Sequence, residues 1–123
     1  MERISKLTDE WINAVTKLNS PQDVKNLFAR NATLVGTVST TIRSKREITK
    51  YFKYFAKLPG IRVLKADYHI QQVAGKVWLN TAFIKWDWQG LEEPITARMS
   101  FLYKGDKIFQ LHSSALPETN KEL

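Results

Sequence analysis

The spacing of apolar residues in this chain changes once, at the "LPG" of residues 58–60. Before it, apolar residues recur every three or four positions. After it they alternate, which is the two-residue repeat of extended strands. Such a chain builds helices first and a sheet second, and helices gathered on one face of a bent antiparallel sheet give an α+β domain.

The first stretch, residues 3–18, carries Ile4, Leu7, Trp11, Val15 and Leu18 on one helical stripe. "NSPQD" restarts the chain. Ser20 suits the helix N-cap, Pro21 the first helical position, and Asp23 the positive helix end. The short second helix is expected to bury Val24, Leu27 and Phe28, with Asn31 closing it in the left-handed conformation. "ATLVGTVS" reads as a strand over 32–38. "SKRE" reads as a capping box, Ser44 with Glu47, opening a third helix that turns Ile48, Tyr51, Phe52 and Phe55 inward. Strands follow at about 61–73, 76–88, 93–104 and 107–115, joined by Ala74-Gly75, Gln89-Gly90 and Gly105-Asp106. The predicted order is helix, helix, strand, helix, then four strands, in one domain over 1–123 with a frayed tail at 118–123.

Composition narrows the chemistry. The 123 residues hold 43% apolar side chains, ordinary for a globular fold, and no cysteine. Disulfides, zinc-thiolate sites and thiol nucleophiles are excluded. Two histidines, His69 and His112, make a histidine-rich metal site unexpected. No metal and no cofactor is predicted. The opening "MERISKLTDEWINAV" has charges every few residues and does not read as a signal peptide. No apolar run approaches the roughly 20 residues of a membrane span. A reducing, cytoplasmic setting fits. The net charge of +7 comes from 19 Lys and Arg spread along the chain, with one tight cluster, "RSKR" at 43–46. That distribution points to a solvated surface or a pocket for an anionic small molecule rather than to nucleic acid.

The last hairpin can be read by register. With Gly105-Asp106 as a two-residue turn, Tyr103 pairs with Ile108, Met99 with His112 and Arg98 with Ser113. Paired residues share a face. Arg98, Ser100, Leu102, Phe109, Leu111 and Ser113 then form one side, and Met99, Phe101, Tyr103, Ile108, Gln110 and His112 the other. A single bulge would reverse the pairing beyond it. The side ending in Arg98 and Ser113 is taken as the pocket, because an arginine in a sheet calls for a carboxylate partner, from the protein or from a ligand. Tyr51 and Arg43 are placed at the pocket and its mouth, and Trp86 along its wall. In the strand before, Val77, Leu79 and Phe83 oppose Trp78, Ile84, Trp86 and Trp88. Three helices cover one sheet face only, so the other is expected to bind a second copy through Met99, Phe101, Tyr103 and His112. No Gly-rich phosphate loop, serine elbow or metal-ligand spacing is present.

"LVGTVS", "EITKYFKYFAKLPG", "ARMSFLYK" and "HSSALPE" together resemble the nuclear transport factor 2-like, or cystatin-like cone, superfamily, over about residues 5–118. Within it they are similar to the SnoaL-like branch that includes the association (hub) domain of calcium/calmodulin-dependent kinase II and its small bacterial relatives. The resemblance implies a curved antiparallel sheet wrapped around three helices as a cone-shaped α+β barrel, an interior pocket, dimerisation through the outer sheet face, and, in hubs, rings of dimers. It also implies that Arg98 matches a hub pocket arginine, whereas Ser113 stands where hubs often carry another. The bacterial relatives usually end His-His-Ser-Ser; here Leu111 replaces the first histidine, removing a proton-transfer group. Three functions are therefore expected: a homo-oligomeric domain binding a small anionic or aromatic ligand, an isomerase, dehydratase or cyclase-like enzyme using the same pocket, or an oligomerisation scaffold.

Overall fold

The computed structural model describes residues 1–37 and 39–116. Its elements are α1 (Glu2–Thr16), α2 (Pro21–Asn26), β1 (Phe28–Val35), β2 (Arg43–Ser44), α3 (Arg46–Phe55), β3 (Arg62–Ala74), β4 (Val77–Asp87), β5 (Ile95–Lys104) and β6 (Lys107–Ala115). The six strands form one sheet in the order β2-β1-β6-β5-β4-β3. β3 to β6 are an antiparallel meander, and β1 runs parallel to β6. This is the predicted α+β order with one addition, the two-residue strand β2. The expected tail at 118–123 lies outside the described residues.

Local chemistry accounts for most element ends. The backbone N–H of Asp23 donates to Ser20 Oγ at 3.1 Å, so α2 begins at its predicted cap. It ends earlier than expected because β6 takes its last carbonyls. Ile108 N–H donates to Leu27 O at 2.9 Å, and Lys107 Nζ donates to Asn26 O at 2.6 Å. Phe28 therefore starts β1, paired with Ile108, and Asn31 lies within that strand instead of closing a helix. The left-handed asparagine is Asn19, at φ 49°. Its Nδ2 donates to Val15 O and to Ala56 O, both at 3.0 Å, closing α1 and tying it to the end of α3. Leu18 lies past the end of α1 and is exposed rather than on its inward stripe.

The capping box at 44–47 does not form. Ser44 pairs with Thr33 on β2, and Lys45 takes the cap position at φ 51° without a side-chain bond. Inside α3 the prediction holds: Ile48, Tyr51, Phe52 and Phe55 are all buried.

Bulges bend the sheet over the helices. The register shifts between Val63 and Lys65, between Gln72 and Ala74, between Phe28 and Thr33, and between Leu102 and Tyr103. Trp11 on α1 sits at the centre of the concave side, edge-on to Phe52 (6.0 Å), Trp86 (5.7 Å) and Phe101 (5.2 Å). Beside this aromatic cluster lies a buried polar contact. Asn80 Nδ2 donates to Thr8 Oγ1 at 3.0 Å, and the Thr8 and Tyr103 hydroxyls are 2.7 Å apart. Burial raises the Tyr103 phenol well above its ordinary pKa.

Candidate functional site

The bulge in the last hairpin decides which side chains share the interior. Near the turn the predicted register holds: Lys104 pairs with Lys107 and Tyr103 with Ile108. Leu102 then pairs with Gln110, leaving Phe109 as the extra residue. Beyond it, Met99 pairs with Ser113, Ser100 with His112 and Arg98 with Ser114. The two strands are thus out of step with the simple hairpin reading by one residue, which exchanges faces.

Two expectations about β5 are overturned. β5 alternates without interruption, so they concern which of its faces is covered: Tyr103 and Ile108, paired as predicted, are already buried. Arg98 does not enter the pocket; it is exposed on the convex face, opposite Phe83 and Ser114. Met99, Phe101 and Tyr103 are not interface residues; each is at least 96% buried in the core, with 4%, 0% and 1% exposure. His112 is exposed on the convex face, and Ser113 and Leu111 are buried on the concave one.

The interior cavity is small, about 10 Å³, close to the room one water requires. It lies between the end of β1, α3 and the middle of β5 and β6. Tyr51, Trp11, Met99 and Leu111 line its apolar part, and Thr37 and Ser113 its polar end. The hydroxyls of Thr37 and Ser113 are hydrogen-bonded to each other. Tyr51 is wedged between Phe52 and Phe55, stacked on the latter at 5.7 Å. Arg43 lies over its ring, its guanidinium carbon 5.7 Å from the centroid. The Arg43 side chain is held by Ser39 Oγ at 3.3 Å and Glu47 at 3.6 Å. Tyr51 thus lines the cavity, and Arg43 lies beside it against the Tyr51 ring.

Trp86 belongs to the core and not to the cavity wall. It packs edge-on against Trp11 and, at 5.2 Å, against Phe55. The indole Nε1 atoms of Trp11 and Trp86 are buried and lack hydrogen-bond partners among the described residues. Each faces the cost of an unmade bond, offset by the aromatic contacts around it.

The sequence reading missed Trp11, Gly36 and Thr37 as cavity residues. The signal was present: Gly36 interrupts the strand-like "LVGTVS", and a glycine in a strand often marks a close approach. That approach is real, because a Cβ on Gly36 would stand 2.3 Å from Tyr51 Cζ. Among the described residues, no carboxylate or imidazole lines the cavity, and no group of three metal-ligating side chains is present. No helix among the described residues is long and apolar enough to cross a membrane.

No protein-family model matches the sequence, and no curated protein matches it significantly. Solved structures do resemble it. A candidate calcium/calmodulin-dependent protein kinase II association domain from Xanthomonas campestris is 26% identical, with a TM-score of 0.78 over 94% of this chain and 87% of that one. A candidate dehydratase of the NTF2-like family from Streptomyces avermitilis is 16% identical, with a TM-score of 0.79 over 94% and 95%. A ketosteroid isomerase-like protein from Catenulispora acidiphila, solved with trimethylamine, is 20% identical, with a TM-score of 0.60 over 87% and 82%. A curved, unclosed sheet with its helices on the concave side, shared with these structures, gives this chain the nuclear transport factor 2-like, cystatin-like fold.

Proposed function

We propose that this chain is a self-associating domain whose working surface is the convex face of the sheet. The observation that carries this reading is the interior: an aromatic core leaves a void of only about 10 Å³, too small for a substrate. Hub-like assembly with a filled cone was one of the three expected functions. The likeness to a candidate association domain supports it.

The convex face supplies the contact. On β4 and β5 it presents Leu79, Phe83, Arg98, Ser100 and Leu102, with His112 beside them on β6. Phe83 is 46% exposed in the middle of this surface. Strands of this length span about 35 Å, and four of them about 19 Å, giving roughly 650 Å² per partner. That approaches the ~800 Å² per partner of a standard interface. The proposed partner is a second copy, in a homodimer that can close into a ring. A cysteine-free chain suits the cytoplasm.

Phe83→Asp tests this reading, with Tyr54→Asp as its control, since Tyr54 on α3 is 57% exposed and lies off the sheet. Light scattering should find wild type and the Tyr54 variant associated and the Phe83 variant monomeric. Equal masses for all three would reject the convex face.

A second reading keeps a ligand in the cone. The paired hydroxyls of Thr37 and Ser113, with Tyr51 and Arg43 beside them, offer donors to a small anion or aromatic once the Tyr51 ring swings out. A small-carboxylate thermal-shift screen tests it, repeated on Arg43→Ala. Absence of any stabilisation in wild type would remove it.

A further inference from the structure

The cations of this chain are unevenly partnered. Arg3, Arg43, Lys50, Arg62 and Lys65 each meet a carboxylate within 4 Å. Lys25, Arg30, Lys45 and Arg46 form no ion pair among the described residues. These four come from three elements, α2, β1 and the start of α3, and line one cleft of about 450 Å³. Gln22 and Thr49 complete its wall with an amide and a hydroxyl.

No acidic side chain lines the cleft. Of the two acids next to lining residues in sequence, Glu47 is paired with Arg43 at 3.6 Å and Lys50 at 3.1 Å, and Asp23 lines the neighbouring groove. The larger groove between α1 and α2 is different: its Lys6 and Lys17 are interspersed with Asp9, Glu10 and Asp23. Four like charges around one concavity repel each other, and a multiply charged anion relieves that repulsion.

We propose that this cleft binds a small molecule carrying two or more phosphate groups. The guanidinium groups of Arg30 on β1 and Arg46 on α3 can each grip a phosphate bidentately, and the lysines add point charge. The lining contains no aromatic side chain on which a base could stack, so the phosphates and not a nucleobase are recognised. The cleft is formed by α2, β1 and α3 and lies apart from both the interior cavity and the convex faces of β4 and β5. It is independent of the proposed association.

Inorganic triphosphate is the probe, titrated calorimetrically into the full chain at low and physiological salt. Wild type should bind it, more weakly as salt rises. The Arg30→Gln/Arg46→Gln pair should weaken binding about tenfold or more while melting unchanged without ligand. The control pair Lys65→Gln/Lys76→Gln removes the same charge from β3 and its turn, and should stay within about twofold. Should the arginine pair fold poorly, Lys25→Gln/Lys45→Gln serves in its place.

Two further arms identify the source of the phosphates. Triphosphate binding together with phosphoinositide-vesicle cosedimentation assigns them to a lipid headgroup; triphosphate binding alone assigns them to a soluble metabolite. Either outcome retains the site. No triphosphate binding, equal losses in control and test pairs, or binding of a single-stranded oligonucleotide without triphosphate would overturn the proposal.

Discussion

The ring of Tyr51 fills the space that a side chain on Gly36 would need, with Cζ 2.3 Å from the position of an added Cβ. The glycine and the tyrosine therefore act as one packing unit at the end of β1. Gly36→Ala forces the ring aside and should cost about 1–3 kcal/mol. Tyr51→Ala opens a cavity and should cost about 3 kcal/mol or more. The double variant should lose less than the sum, because the alanine methyl then enters vacated space. Urea unfolding of the three variants measures this; strict additivity would show that the contact carries no energy.

Thr8 makes a second discriminating site. Its hydroxyl donates to Ile4 O at 3.0 Å and accepts from Asn80 Nδ2, and it meets the Tyr103 hydroxyl at 2.7 Å. Thr8→Val keeps the shape and strands both partners, Asn80 in particular, whose Oδ1 already lacks a bond among the described residues. The expected loss is about 1–3 kcal/mol, against under about 1 kcal/mol for Thr8→Ser. Equal losses in the two variants would mean that packing dominates.

Alkaline pH should unfold the protein through its tyrosines. Burial, above all, raises Tyr103, and burial followed by donation to Asp9 at 2.6 Å raises Tyr68. A phenol raised in the folded state keeps its proton there while the unfolded chain loses it above its ordinary pKa, about 10. The unfolded form then binds fewer protons, so stability is complete below about pH 10 and falls as pH rises further. The buried Tyr103 contributes a slope of up to about 1.4 kcal/mol per pH unit, and the half-exposed Tyr68 less. Melting curves from pH 8 to 11.5 should show the decline. Tyr68→Phe should flatten it, and an unchanged slope would contradict the assignment.

Lys45 sits at φ 51°, a conformation that glycine adopts at lower cost. Lys45→Gly should stabilise the fold by about 1 kcal/mol and weaken triphosphate binding at the same time. Chemical denaturation and calorimetry on one preparation read both effects. A destabilised variant would show that the Lys45 side chain makes contacts of its own.

Most of the architecture was legible because period and turn chemistry are local. The inward stripe of α3, the Ser20 cap and the turns at Gly75 and Gly105 all follow from neighbours in sequence. The site was less legible, and one residue explains why. Phe109 is the extra residue of a bulge, stabilised where the Lys104 ammonium lies 3.8 Å over its ring. Nothing in "KIFQLHSS" requires a bulge there. Yet the bulge separates Leu111 and Ser113 from Arg98 and puts them on the buried face of Met99, Phe101 and Tyr103, while the inward face of β5 itself is set by the helices that cover it. The cap of α3 failed for a related reason: pairing of Ser44 with Thr33 is a long-range contact that outweighs a local signature.

Sedimentation equilibrium of the unmodified chain, from about 1 to 50 µM, tests the central claim most directly. The account predicts a species of at least twice the mass of one chain across that range, dissociated by Phe83→Asp. A single-chain mass at every concentration would contradict it.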